Sequence, residues 1–539
     1  MEHSASEGAH AWFEFDRSRS ALQRLGVRRT VAVVAGLVLL FVALRCVRLD
    51  ADPPTRFGTR ATRELIAEPA AKSHEARNYA AFGSYHLNEA DDYQFWRAQS
   101  PVWVYPLSGF FSVFGVDWPQ LRLFSTLYAA LGVACVLAIA ARFASLLAVL
   151  FIGGLLAWDS TYFHYARAGL IEPAVSSWIA ACVLALILAQ RQRYWLLFAH
   201  WALALAFFTK QAGLVGVPVV GLATAWILLR DPGDPPDARR LRLAVVANAA
   251  LIVAVVTLYI LNSDYYRAVV HNVNHVLMGS DAPPQYKFRG LASIKQRLTD
   301  DRYRHLFITV GVSGPLALAA IGAIAYEFYR RRRLPYAVLV LACWFLCAFG
   351  AMFAIAWSAL RFWTMVVLPA ALMAGLALDV LFVAAQRRGL GQVYKRVAIA
   401  GACVLFGVHA YLLREPLVVA NYTLRDGAKA IVASIGPGPA TVLGAQSPGI
   451  VLGTPYKNFY LRSKFNATAA QLEKLAPTHF LFIDGGDGSK TILRRELPLV
   501  EAALQPILSL TVRGVPLKLF AADQGIARHA PQASAGEAN

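Results

Sequence analysis

The sequence predicts a mainly α, polytopic helical membrane protein that ends in a small extracytoplasmic α/β domain. Three observations predict it: about eleven apolar stretches of bilayer length between Thr30 and Leu413, basic residues gathered in alternate short connections, and a tail whose apolar runs are all too short to span. A hydrocarbon core about 30 Å thick takes roughly 20 helical residues to cross, and a central Arg, Lys or Asp costs about 2.5 to 3.5 kcal/mol. A content of 57% hydrophobic residues with a mean hydropathy of +0.47 exceeds what one soluble core requires.

Taken in order, the expected spans are 30–48, 120–141, 144–159, 174–190, 195–209, 213–229, 243–262, 305–326, 336–357, 363–385 and 396–413. The basic turns hold Arg24, Arg28 and Arg29; Arg142; Arg191 and Arg193; Arg230, Arg239, Arg240 and Arg242; Arg330 to Arg333; and Arg387, Arg388, Lys395 and Arg396. Positive charge on alternate loops marks the cytoplasmic side of a cell (inner) membrane, so residues 1–28 form a cytoplasmic tail. The net charge of +19 is then an orientation signal, and nucleic acid is excluded as the partner that explains it. No small-residue cleavage site follows the first span, which is expected to stay attached. All six cysteines lie in or beside spans, so no disulfide framework is implied, and Cys343 and Cys347 read as inert packing.

The polar material sorts by side. Inner loops are short and basic, whereas the outer face carries 49–119, 159–173, 263–304 and the tail, and loops longer than about 12 to 15 residues are usually functional or disordered. The domain division is a transmembrane domain over 29–413, with catalytic outer loops 49–119 and 159–173, an α/β domain over 414–524 and a disordered end over 525–539. In the tail, Ala440 to Leu443, Gly449 to Leu452 and Thr478 to Ile483 read as strands and Ala469 to Leu475 as a helix. Pro101 to Val116 is apolar but too short to span, which suits an interfacial helix. Trp96, Trp103, Trp118, Trp158, Trp357 and Trp363 fit an aromatic belt.

The first outer loop holds Glu68-Pro69, His74-Glu75-Ala76-Arg77-Asn78, Phe82-Gly83, Pro106-Leu107, Phe114-Gly115-Val116 and Arg122-Leu123. Later come Ala166-Arg167 with Glu172-Pro173, Phe208-Thr209-Lys210, and Arg361-Phe362 with Pro369. This ordered set, over roughly residues 30–415, resembles the GT-C fold glycosyltransferases similar to dolichyl-phosphate-mannose protein mannosyltransferases and aminoarabinose transferases. One departure stands out: the family usually shows Asp-Glu where this chain shows Glu68-Pro69. The resemblance implies inverting transfer of a sugar from a polyprenyl-monophosphate donor to a hydroxyl of a lipid, glycan or protein on the extracytoplasmic face. Two other classes remain in view. A transporter or flippase for a lipid-linked glycan would show two similar halves with broken helices; a ligase or polymerase using diphosphate-linked glycans would lack the Glu68 to Arg77 arrangement.

Such transfer needs a carboxylate to take the acceptor proton and cations to hold the phosphate as charge builds on the leaving oxygen. The transition state resembles an oxocarbenium ion, so base and clamp on opposite faces give inversion. Glu68 falls at the family's Asp position and is the candidate base, with Asp91 and Asp92 as rivals in the same loop. Glu172 precedes Pro173 at a helix start, where a carboxylate caps the helix, and it is a second catalytic candidate that orients the acceptor or assists the base, two roles that can coexist. Arg167, Lys210 and Arg361 break the alternation of basic loops and so either snorkel or bind an anion. Arg suits phosphate through its planar fork, Lys as a point charge. Arg77 joins the substrate-binding candidates by resemblance. His164 could contact acceptor or be structural, and His271 and His275 sit four apart. No ligand motif accompanies them, so no metal residue is assigned and a divalent ion is left open.

Overall fold

The computed structural model describes residues 20–53, 58–229, 236–262, 318, 321–322, 325, 336–354, 360–462, 465–485 and 488–522. The chain divides into two compact units, one of residues 1–47, 125–167 and 171–414, the other of residues 48–124, 168–170 and 415–539.

The first unit is a helical bundle. Helices occupy the expected stretches, with bounds Ala21–Cys46, Trp118–Phe143, Leu146–Trp158, Glu172–Leu188, Trp195–Thr209, Val217–Leu229, Pro236–Leu261, Tyr336–Ala354, Thr364–Arg387 and Gly391–Leu412. Most of the expected span at 305–326 lies outside the described residues, as do His271, His275 and the 263–304 loop. Among the described residues six helices are long and apolar enough to cross a membrane, and a bent pair makes a seventh. The number falls below the eleven expected partly because Glu172–Leu188 and Trp195–Thr209 are apolar but only 17 and 15 residues long.

Close helix contact in the bundle depends on small residues, as it does wherever lipid removes the hydrophobic driving force between helices. A Cβ on Gly132 would meet Ser177 Oγ at 2.6 Å, and one on Gly375 would meet Ile152 Cγ1 at 2.3 Å. Leu137, Val183, Phe345 and Leu368 fill the core so formed.

The bent pair, Leu146–Trp158 and Ser160–Ala166, turns through 60° at Asp159. Breaking a helix in an apolar setting frees backbone groups that need partners. Arg45 donates to the Leu156 and Ala157 carbonyls at 3.0 and 3.2 Å while its guanidinium lies over the Phe41 ring. The Asp159 carboxylate accepts from the Tyr162 N–H at 2.6 Å, and His409 Nδ1 accepts from the Ser160 N–H at 3.0 Å.

The second unit is α/β. Strands β1 (Thr441–Gly444), β2 (Lys457–Tyr460), β3 (His479–Ile483), β4 (Gln505–Val512) and β5 (Val515–Ala521) form one sheet in the order β2-β1-β3-β5-β4. The first three pair in parallel and the last two are an antiparallel hairpin. Leu443, Phe459, Phe480 and Phe482 point to one face and pack with Leu472 and Ile492 from the helices Ala469–Leu475 and Ser489–Glu496. The run expected as a strand at 449–452 is instead the end of a short helix, Ser447–Ile450, and the turn after it. Pro448 sits at the helix start, and a Cβ on Gly449 would come within 2.2 Å of the Ile66 carbonyl oxygen, so this run is packed edge-on against a loop helix. The loop itself contributes Gly58–Lys72, His74–Phe82 and Pro101–Phe114 to the same unit.

Candidate functional site

In the bundle, three element ends bring one acid and two bases together. Glu172 is the first residue of Glu172–Leu188, with Pro173 next, so its carboxylate sits where a helix exposes orphan amide donors. Lys210 closes Trp195–Thr209 in an extended conformation, and the chain then turns back through the 3₁₀ segment Gln211–Gly216. Glycine at 213 permits that turn, since a Cβ there would lie 2.5 Å from the carbonyl carbon of Ala206. Arg361 lies on the 3₁₀ turn Leu360–Trp363 that leads into Thr364–Arg387.

Lys210 Nζ donates to Glu172 Oε1 at 2.6 Å and Arg361 Nε donates to the same oxygen at 3.1 Å. The Glu172 side chain is 0% exposed, and both cations flank the Phe362 ring, Lys210 at 4.6 Å and Arg361 at 5.3 Å from its centroid. A buried carboxylate costs several kcal/mol in lost hydration unless paired, and Lys210 and Arg361 supply that pairing. A carboxylate gripped by two cations is a poor proton acceptor, and two cations held side by side are a suitable arrangement for an anion.

The other candidates are placed as follows. Arg167 donates to the Val47 carbonyl at 2.9 Å and lies over the Phe163 ring, and His164 is buried with its ring edge-on to Phe163. In the second unit, Arg77 is fully buried and donates to the carbonyls of Leu452, Val451, Thr454 and Tyr456 at 2.8, 3.3, 3.0 and 2.6 Å. Burial lowers its guanidinium pKa to about 10, which leaves it charged at neutral pH. Arg122 likewise clasps the Leu49 and Ala51 carbonyls. Both sequence landmarks therefore brace backbone.

Glu68 lies in Gly58–Lys72 with its side chain 21% exposed, and Lys72 Nζ, on the next turn, meets its Oε1 at 2.6 Å. Of the rival acids, Asp91 is buried against His74 Nε2 at 3.0 Å and receives Asn466 Nδ2 at 2.8 Å, while Asp92 accepts from the Asn466 N–H and from Gln471 Nε2. These hydrogen bonds make Asp91 and Asp92 fasteners between the loop and the tail segment of the unit. Lys72 is a residue the sequence reading missed, although its spacing of four from Glu68 on a helix was the available signal. Among the described residues no group of three or more His, Cys, Asp or Glu side chains is placed to hold a metal ion.

Comparison with known proteins gives the wider setting. Residues 97–269 match the family model of dolichyl-phosphate-mannose-protein mannosyltransferase. No curated protein matches the chain in sequence. The structure is similar to that of ArnT from Cupriavidus metallidurans bound to undecaprenyl phosphate, with a TM-score of 0.54 and 15% identity over 93% of this chain and 98% of that one. The apo form of the same ArnT gives a TM-score of 0.53 and 16% identity over 92% and 99% of the two chains. The chain thus has the ArnT fold, and with its apolar helices it is a multi-pass membrane protein.

Proposed function

We propose, from the family resemblance and the shared fold, that this chain is an inverting glycosyltransferase that moves a sugar from a polyprenyl monophosphate to a hydroxyl on the extracytoplasmic face of a cell membrane. One observation carries the reading: Lys210 and Arg361 converge on a single buried oxygen of Glu172. Glu172 fixes the position of the two cations, and the two cations so placed hold the donor phosphate. That the ArnT structure was obtained with undecaprenyl phosphate supports a donor of this class.

In the reaction the anomeric carbon forms a bond to the acceptor oxygen as its bond to the phosphate oxygen breaks. The electron pair leaves with the polyprenyl phosphate, where fixed cations stabilise it in a site of low dielectric constant. The acceptor proton passes to a carboxylate, a role we assign to Glu68, since Glu172 is held by two cations. Arg77 is assigned to bracing, and Arg167 and His164 to the surroundings of the donor site.

The test incubates purified protein with a panel of radiolabelled polyprenyl-monophosphate sugars and membrane lipids. The parent is expected to transfer label, Glu68→Gln to lose about 10² to 10⁴ of the rate, and Arg361→Ala or Lys210→Ala about 10² to 10³. Equal product from parent and Glu68→Gln removes Glu68 as base; no product from any donor removes the enzyme class.

A further inference from the structure

Around Glu68 the second unit assembles more than a base requires. Lys72 holds Glu68 with its side chain 4% exposed and its ammonium 5.6 Å from the Trp96 ring centroid. Tyr93 packs on Trp96, Phe95, Tyr460 and Phe465 with centroids 6.2, 5.3, 4.5 and 4.8 Å apart. Arg462 donates to the Tyr460 hydroxyl at 3.2 Å, and the Glu68 charge is felt by both Tyr93 and Arg462. Tyr93, Trp96 and Tyr460 are buried, Phe95 and Phe465 half-buried, and Arg462 exposed, so the cluster has a packed floor and an open side.

We infer that this cluster is the recognition site for a saccharide acceptor. The inference rests on the reading of Glu68 as the base, since whatever gives up its proton must sit beside that carboxylate. A pyranose has an apolar face of C–H groups and a rim of hydroxyls, each both donor and acceptor. Aromatic rings match the face, whereas the rim needs acceptors and donors side by side, here Glu68 as acceptor and Arg462 and Lys72 as donors. An extended peptide would instead be read through main-chain hydrogen bonds at a strand edge, and a bare lipid chain would not need the three charges. Bound this way, the sugar hydroxyl nearest Glu68 Oε gives its proton to Glu68 as its oxygen attacks the donor's anomeric carbon and polyprenyl phosphate departs.

The test uses saturation-transfer NMR on the full chain in detergent, with methyl β-N-acetylglucosaminide and methyl α-mannoside as probes and a threonine peptide amide as comparison. Saturation is expected on the ring C–H protons of at least one glycoside and to fall about fivefold or more in Arg462→Gln and Phe465→Ala, neither of which alters the buried floor. Unchanged transfer in both variants, no transfer to either glycoside from the parent, or transfer to the peptide alone overturns the inference. Release of free sugar from a labelled polyprenyl-phosphate donor in water is measured alongside. Donor cleavage by the parent with no saccharide binding overturns the acceptor site and leaves the transferase reading standing, whereas absence of both overturns that reading as well.

Discussion

Arg77 and Arg361 are both buried arginines on sequence landmarks of the same resemblance, yet their guanidinium groups meet different partners. Arg77 spends its donors on four backbone carbonyls of a turn in its own unit, whereas Arg361 meets a carboxylate already held by Lys210. Carbonyl oxygens satisfy an arginine's hydrogen bonds and fix a chain segment in return. A shared carboxylate instead holds two cationic side chains beside each other. The difference separates a bracket from the clamp proposed above without reference to which residue type is present.

The widest gap between the two should appear in stability. Arg77→Ala strands the carbonyls of Leu452, Thr454 and Tyr456, each costing about 1 to 3 kcal/mol when unsatisfied, while Val451 keeps its bonds from Thr454, so a loss of about 3 kcal/mol or more is expected. Thermal unfolding of the detergent-solubilised protein should show it as a collapse of folded yield, and Arg77→Lys should recover little of it, because an ammonium cannot span four acceptors in a plane. A variant that folds normally and loses only donor affinity would return Arg77 to the substrate site.

Glu172→Gln tests the other side. Glutamine keeps the shape but leaves Lys210 and Arg361 repelling each other in a buried setting, so the clamp spreads. A fall in kcat/KM of about 10²-fold, near 2.7 kcal/mol of transition-state stabilisation, is expected with the folded fraction largely kept. Turnover equal to the parent's would mean that the carboxylate does not organise the cations.

How much of this was legible in the sequence follows from the range of each interaction. The helices were readable because a membrane span is a local composition, and Ala469–Leu475 and the strand ending at Ile483 were readable because their periodicity is local too. The run at 449–452 was misread, since a short apolar segment suits either a strand or a buried turn and the packing of Gly449 against Ile66 decides. Lys210 and Arg361 were found as basic residues out of place. Glu172 was found as an acid at a helix start, but its pairing with them was not, because it lies 38 and 189 residues away and no pattern of spacing encodes such a contact. Arg77 was legible as a landmark and illegible as a bracket for the same reason.

A third contrast concerns acids. Burial pushes the Asp91 carboxyl up, but the hydrogen bond and charge of His74, with Asn466 and the Tyr93 N–H, outweigh it and hold the group below the usual carboxylate range. A depressed folded value means stabilisation that is present above the unfolded pKa of about 3.9 and is lost as pH falls through the folded value. Melting temperature against pH should therefore drop for the parent below about pH 4, and Asp91→Asn should lack that part of the drop while being less stable at pH 7 by about 1 to 2 kcal/mol. Parallel curves for the two proteins would show that Asp91 is not the fastener the geometry describes.

The smallest effect comes from a carboxylate in the bundle that has neutral partners. Asp379 accepts from the Ser145 hydroxyl at 2.6 Å and from the Ser145 N–H at 2.8 Å, and Ser145 in turn caps Leu146–Trp158. That arrangement brings no pair of cations together as Glu172 does, so its work is to fix the start of a helix. Ser145→Ala removes the cap and one acceptor contact, worth about 1 kcal/mol, or a fall of a few degrees in melting temperature. Activity per folded molecule should be unchanged within about twofold, because the substitution touches neither cation of the clamp. A loss comparable with that of Glu172→Gln would dissolve the distinction between carboxylates that position cations and carboxylates that cap helices.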